Sequence, residues 1–586
     1  MATRTTSLFL LGILLGAVLP GLWRPPALAA PPVPDRRFGV VEAYAAPNAA
    51  TALGAGWTRV TFRWNEIQPN GPHEWNVAPI SDQTLNHELA QGREVVGLLV
   101  ATPGWATDAD AGCGVPRGLD LPVDHPENLW AGFVRTMVDR YAGRINHWII
   151  WNEPDIAGTQ HMSWGGSVDD FVRLLQVAYT VAKETNPDTV IHLAAVTHWW
   201  DEHWFGHLLN ALAADRHALA NNHYFDVATL HVYFQPETVY DITAHYGAMM
   251  HGHGIHKPIW IAETNAAPSQ DPAWLVPDAQ FDVSLEQQAA YVVQAFSLAI
   301  AAGAERIAVY KMADTGTDRM ANPEPFGLVR ADGSRRPAFT AYQMASTYLA
   351  GFRGGTWDRR DTISRVTIDR GSRTTTVVWA RGQEPQRAMI PARTTRALLV
   401  DVRGGARLIH PEGGYYYLDL PPASCTRGCL IGGSPYMVIE EAPASADTAP
   451  VPRSPTPSPR AEAAPQSSAE PPGAPLSTPT LTPLPTVLPR SIGPGPTGIA
   501  SAAGPSATEE PSSTASSTSI PAATPQPLDD AAPSSTPSPA PCPTVGPSLT
   551  PVPASASPTP RGHLWILATI VVLGLAGAAV GVSRRI

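Results

Sequence analysis

Cysteine is scarce: four in 586 residues, with no spacing that suits a zinc site. Basic blocks are missing as well. The formal charge is −11, and phosphate recognition requires clustered lysine and arginine, so nucleic acid is excluded as a partner. No glycine-rich phosphate loop follows the first predicted strand, which argues against an open dinucleotide-binding sheet. No LPxTG-type sorting sequence precedes the apolar C-terminal segment. Cys425 and Cys429 can close a small disulfide loop if the turn in "CTRGC" brings their Cα atoms within about 7 Å. Sequence spacing alone does not assign a partner to Cys113 or Cys542.

What is present is unevenly distributed. Of 17 tryptophans, 13 lie between Trp57 and Trp274, so the aromatic-rich folded part is N-terminal. Most of the 61 prolines fall in the last quarter. Residues 1–29 read as a secretory signal: Arg4, then an apolar run from Leu8 to Leu19, then the small-x-small site Ala27-Leu28-Ala29. Residues 443–561 are Pro/Ser/Thr/Ala-rich, with too little apolar content to offset ordering entropy, and are expected to form a disordered stalk. Leu564–Val582 is an uncharged run long enough to cross a bilayer core. Arg584 and Arg585 follow it, which places a cytoplasmic tail at 583–586 and everything upstream outside. These segments predict a single-pass cell-surface protein held to the membrane by its C-terminal helix.

The chemistry lies in residues 36–442. Eight short apolar runs alternate with segments of helical spacing: "FGVVEAY", "TRVTFRW", "EVVGLLVAT", "INHWIIW", "VIHLAAVT", "FDVATLHVY", "PIWIAET" and "RIAVYKM". One intervening helix is expected to start at a cap, Ser284, and to end at Gly303. Eight such units predict an α/β fold, a (β/α)8 TIM barrel over 36–350. Residues 351–442 turn strand-rich, as in "TTTVVWA", "RALLVDVRG", "GYYYLDL" and "PYMVIEE", and predict a small β-sandwich beside the barrel.

In such a barrel the site forms at the C-terminal strand ends. Glu153 follows the fourth strand and Glu263 ends the seventh. Strand alternation puts Ile149, Trp151 and Glu153 on one face, and Ile259, Ile261 and Glu263 on another. If those faces point inward, both acids reach the mouth. Trp148 and Trp260 then pack under the helices. Two carboxyl groups over one cleft can split a glycosidic bond, one donating a proton and the other attacking the anomeric carbon.

Trp151-Asn152-Glu153-Pro154, with Glu263 on a later strand, resembles the acid/base and nucleophile pattern of clan A glycoside hydrolases. "GWTRVTFRWNEIQPNGPHEWN" and "ATPGWA" resemble that clan's second and third strands. "FGLVRADGSRRPAFTAYQ" resembles its barrel-closing segment, and the region from "LLVDVRGG" to "PYMVIE" its trailing β-sandwich. The resemblance is nearest to family 39, the β-xylosidase and α-L-iduronidase group. It implies a retaining enzyme with Glu153 as acid/base and Glu263 as nucleophile. It further implies that Asn152 holds the substrate 2-hydroxyl and that Arg59 keeps Glu263 ionised. Tyr233 and His231 fall where the clan places a residue touching the nucleophile. Lys311, a candidate substrate-binding residue, stands where many members carry a tryptophan, which is a departure.

Other residues carry two readings. Arg63 shares a face with Arg59, and either assists the site or pairs structurally. Trp105, Trp199 and Trp200 lie in loops after strands, where indoles stack on sugars or simply pack. Asp108, Asp110 and Cys113 lie in the loop after strand three, shaping substrate choice or merely solvated. His245, His251, His253 and His256 read as a helix end and loop rather than a metal site. The chemistry described needs no cofactor or metal. Carbohydrate is the expected substrate; the sugar, the linkage and the oligomeric state are not legible. An inactive carbohydrate-binding barrel is the rival from another class, although binding alone does not need two acids. Transglycosylation would use the same residues with a sugar replacing water.

Overall fold

The computed structural model describes residues 34–76, 80–156, 163–316, 318, 324–425 and 429–441. Eight strands appear where the apolar runs predict them: β1 (Phe38–Val40), β2 (Trp57–Arg63), β3 (Glu94–Val100), β4 (His147–Asn152), β5 (Val190–Ala195), β6 (Ala228–His231), β7 (Ile259–Thr264) and β8 (Arg306–Val309). They form one parallel sheet of order β5-β4-β3-β2-β1-β8-β7-β6. Bridges His192↔Val227 and Val196↔Leu230 bring β5 to β6, so the sheet curves into a nearly closed barrel.

The helices among the described residues are α1 (Pro47–Leu53), α2 (Trp64–Ile67), α3 (Asp82–Ala90), α4 (Leu129–Arg140), α5 (Val168–Thr185), α6 (Trp204–Ala214), α7 (Pro236–Gly252), α8 (Leu285–Ala301) and α9 (Pro337–Tyr348). Two begin with reciprocal capping boxes, Ser167 with Asp170 at α5 and Ser284 with Gln287 at α8. Each box satisfies two orphan N–H groups, and a cap of this kind contributes about 1 kcal/mol.

Two apolar layers result. Inside the barrel lie Val41, Trp57, Val96, Leu98, Ile149, Val227, Trp260, Ala262 and Ala308. Outside, against the helices, lie Val60, Phe62, Leu99, Trp148, Ile150, Trp151, Ile259 and Ile261, among others. Trp57 and Trp260 meet in the interior with ring centroids 5.4 Å apart. A Cβ on Gly39 would stand 2.3 Å from the Trp57 ring, so the bulk of that indole requires glycine on the neighbouring strand.

Trp260 therefore fills the interior, contrary to the place under the helices that alternation predicts for it. Trp148 does pack outward, against Phe62 and Tyr141. The cause is local. Trp151 has φ 73° and Glu153 φ 45°, left-handed values that interrupt the alternation after Ile149. In β7 the pairing register with β8 shifts between Ile261 and Thr264. Ile149 thus faces inward but Trp151 does not, while Ile259 and Ile261 face outward.

The strand starts close the barrel floor with charge. His147 Nδ1 lies 2.9 Å from His192 Nε2, and His147 Nε2 lies 3.4 Å from Glu94. Glu94 also accepts from Arg306 at 2.5 Å. Burial holds the His147 pKa down at about 4, outweighing Glu94. A histidine with a depressed folded-state pKa contributes stability at pH above its unfolded value of about 6.5. That stability is lost as pH falls toward 4, because the unfolded chain binds the proton first. Asp155 and Glu324, raised by burial to about 6 and about 8, have the opposite sign. The readout is therefore a difference. In denaturant unfolding, His147→Gln should lose about 2–3 kcal/mol less than the native chain between pH 7 and pH 4.5. Parallel pH dependence in the two proteins would contradict this.

Beyond the barrel, residues 354–441 form antiparallel sheets. The strands are β9 (Gly354–Arg359), β10 (Ile363–Asp369), β11 (Arg373–Ala380), β12 (Gln386–Pro391), β13 (Ala397–Asp401), β14 (Ala406–Ile409), β15 (Tyr415–Leu420) and β16 (Tyr436–Glu441). Six pair in the order β14-β13-β16-β11-β10-β9, and β12 pairs with β15. Period-two alternation gives the larger sheet two apolar faces. Val377, Trp379, Val400 and Met437 join the barrel's helix-side core. Val378, Ala380, Leu399 and Val438 pack with Ile390, Tyr416 and Leu418 of the smaller sheet. Cys425 and Cys429 are bonded, with Cα atoms 5.1 Å apart. No helix among the described residues is long and apolar enough to cross a membrane. The predicted leader, stalk and apolar segment at 564–582 lie outside the described residues.

Candidate active site

Four strands bring the site together. Glu153 follows β4, His231 ends β6, Glu263 is the penultimate residue of β7, and Arg59 projects from within β2. All four side chains are buried. One oxygen of Glu153, one oxygen of Glu263 and a ring nitrogen of His231 lie within 4.8 Å of one another. Residues 110 positions apart in sequence thus meet over the barrel mouth, because the register shift in β7 and the left-handed turn at Trp151–Glu153 redirect both chains there.

Glu263 is held by two donors. Arg59 Nη2 pairs with its Oε1, and Tyr233 Oη donates to its Oε2. Burial opposes the charge on Arg59, but the Glu263 carboxylate outweighs it and the Arg59 pKa is raised. Burial, and then the charge of Glu263, push Tyr233 well above its ordinary value, so it remains a neutral O–H donor. Both contacts favour negative charge on Glu263.

His231 connects the two acids. Its Nδ1 lies 2.7 Å from Glu153 Oε1 and 3.6 Å from Glu263 Oε2. Arg59 Nη1 approaches its Nε2 at 3.4 Å. A guanidinium only donates, so Nε2 is the acceptor and the ring proton sits on Nδ1. Burial and Arg59 depress the His231 pKa well below its ordinary value, keeping the ring neutral. His231 is therefore a fixed Nδ1–H donor to Glu153 Oε1. Glu153, His231 and Glu263 could each offer one ligand atom to a metal ion. The protonated Nδ1 and the adjacent guanidinium oppose cation binding there.

The backbone beneath is tied down. Glu153 N donates to Ala195 O at 2.9 Å. Asp155 Oδ2 accepts from Thr197 N, Thr197 Oγ1 and His198 N at 2.9, 2.6 and 3.0 Å, fastening the loop after β5 to the turn after Glu153. Thr264 Oγ1 donates to Val232 O, and Asn265 Nδ2 donates to the carbonyls of Tyr310 and Phe326. Sequence reasoning missed Asp155, Thr264 and Asn265; adjacency to each glutamate was the available signal.

Asn152 pairs with Ala195 in the sheet. Its side-chain amide makes no hydrogen bond among the described residues, which leaves it available to a ligand. Lys311 Nζ bridges Glu42 at 3.2 Å and Asp318 at 2.9 Å. It is a charged brace, not an aromatic platform. Trp105 Nε1 donates to Gln68 O at 2.6 Å and its ring packs edge-on against Trp64. Trp105 contacts neither acid among the described residues.

A scan against protein-family models found no match, and neither did a search of curated proteins. Solved structures do match. One is a family 39 glycoside hydrolase from Bacteroides cellulosilyticus WH2, at 15% identity and TM-score 0.52, covering 69% of this chain and 81% of that one. A GH30 endoxylanase from Clostridium papyrosolvens C71 matches at 12% identity and TM-score 0.46, over 70% and 97% of the two chains. A family 30 subfamily 8 xylanase from Clostridium acetobutylicum matches at 12% and 0.47, over 70% and 96%. Likeness at this identity is likeness of fold. The chain shares its barrel fold with a member of family 39, the family that its sequence motifs resemble.

Proposed function

We propose that this protein is a retaining glycoside hydrolase, with Glu263 as nucleophile and Glu153 as acid/base. One observation carries the reading: the two buried carboxyl groups bring oxygens within 4.8 Å at the barrel mouth. Direct attack on a sugar needs carboxyl groups about 5–5.5 Å apart, whereas an intervening water needs roughly 6.5–9.5 Å.

Roles follow from the partners. Arg59 and Tyr233 stabilise Glu263 as an anion that attacks the anomeric carbon. His231 donates to Glu153 Oε1, so the proton to be delivered rides on Oε2. Glu153 gives that proton to the departing oxygen as the glycosyl–Glu263 ester forms. Esterification removes the charge of Glu263. Glu153, now a carboxylate, takes a proton from water, whose oxygen displaces Glu263 with a second inversion. Asn152, next to Glu153 in the chain, holds the substrate hydroxyl beside the reacting carbon in this reading.

The export leader, the stalk and the apolar segment read from the sequence support placing this reaction at the cell surface. Recovery of the chain in the soluble cell extract would remove that part of the proposal. The acid/base role has its own test. Glu153→Gln should slow glycosides with poor leaving groups by about 10²–10⁴-fold. An activated aryl glycoside needs little proton assistance, so its first step should be nearly unaffected. The first product should retain its anomeric configuration by NMR. Equal losses on both substrates, or an inverted first product, would refute the assignment.

A further inference from the structure

Strand β2 sends a second arginine into the mouth. Trp57 fills the barrel interior and Arg59 reaches Glu263, while Val60 and Phe62 pack outward. Alternation then turns Arg63 inward, about 13 Å further along the strand than Arg59. Its side chain is 25% exposed. Burial lowers its pKa, with Glu66, Tyr310 and Glu42 offsetting that only in part.

The other cations here are committed. Arg59 serves Glu263 and His231, and Lys311 serves Glu42 and Asp318. Among the described residues Arg63 makes one ion pair, Nε to Glu66 Oε1 at 3.6 Å, too long for a hydrogen bond. Glu66 is itself 61% exposed, so water competes for it and the pair is weak. The Nη edge of Arg63 donates to no described residue. A guanidinium presents parallel donors that match two oxygens of a carboxylate or sulfate.

We propose that Arg63 binds an anionic substituent, a uronic carboxylate or a sulfate ester, on a sugar neighbouring the one whose bond is cleaved. The preferred substrates are then acidic glycans. This rests on the glycosidase reading of the same mouth. The chain's −11 charge does not forbid it, because charges beyond about 8 Å are largely screened at physiological salt.

The probes are three matched trisaccharides: one bearing a terminal glucuronic acid, the same with that carboxyl reduced to an alcohol, and the alcohol esterified with sulfate. Titration calorimetry on the native chain should show at least one anionic form binding about tenfold tighter than the alcohol. The stronger of the two anions identifies the source. Arg63→Met should reduce the gap to under twofold. Glu66→Gln, at an exposed position that folding tolerates, should widen it by releasing Arg63. Equal binding of all three sugars by the native chain overturns the proposal, as does a gap unchanged in both variants. Anion-selective binding leaves the Arg63 site standing whether or not these sugars are cleaved, and the hydrolase reading fails separately, if no mechanism-based glycoside labels Glu263. Cleavage without anion preference overturns the Arg63 site and leaves the hydrolase reading standing.

Discussion

Glu263→Gln should abolish turnover, with a loss on the order of 10⁵–10⁶-fold in kcat, the size seen when a nucleophile is removed from a cooperating unit. Glutamine is the informative replacement because it keeps the side chain's shape: its amide oxygen can accept from Arg59 while its amide N–H donates to Tyr233 Oη, the two groups that hold the native side chain. Alanine would leave the buried Arg59 guanidinium with neither a counter-charge nor an acceptor and would open a cavity, so lost stability would mix more heavily with lost chemistry. The glutamine variant should still fold cooperatively, at a lower denaturant midpoint, because Arg59 keeps a hydrogen-bond acceptor but loses its counter-charge. Because the amide cannot form the glycosyl ester, a mechanism-based fluoro-glycoside should label Glu263 in the native protein and label nothing in the variant. Turnover within tenfold of native, or label recovered on another carboxyl group, would remove Glu263 as nucleophile.

Much of this site could be read from residue order, and the reasons for the failures are physical. The eight barrel strands are apolar runs because both faces of a parallel sheet are buried, and each run held a strand. The antiparallel strands were harder. The stretch at β9, "GGTWDR", has no fully buried residue, and β14, "ARLI", is short and largely exposed, so no hydrophobic period marks them. Motif and strand position put both glutamates at the barrel mouth, where the structure has them, yet the alternation that orients them in sequence fails in both strands. A left-handed residue at Trp151 and a register shift after Ile261 each displace the pattern. Those departures are backbone events that residue hydrophobicity does not encode. Trp260 was misplaced for the same reason. The resemblance puts His231 beside Glu263, and it lies 3.6 Å away. Its bond to the other acid, and its tautomer, depend on Arg59, 172 positions away, and such a dependence has no local signal. Lys311 shows the limit of resemblance. Its counter-ions Glu42 and Asp318 come from other loops, and they give the position a bracing role that an aromatic counterpart would not have.

Arg59→Met should produce the largest loss of stability at this site. The Arg59–Glu263 pair is buried on both sides, and removing one member of a buried pair costs about 3–5 kcal/mol because the remaining charge is left uncompensated. Activity should fall as well, on the order of 10²-fold or more, since Glu263 loses a charged donor in a dry site. His231 also loses the group that fixes its proton on Nδ1. A second substitution separates these effects. In Arg59→Met/Glu263→Gln neither charge is present, so the desolvation penalty disappears and most of the stability should return, although activity cannot. A double-mutant cycle in denaturant should then give a coupling energy of about 2–3 kcal/mol, within the range for residues in one ion-pair network. Additive losses would show that the two side chains do not depend on each other. Stability returning while turnover stays absent is the pattern expected if the pair exists to hold a buried nucleophile in its charged form.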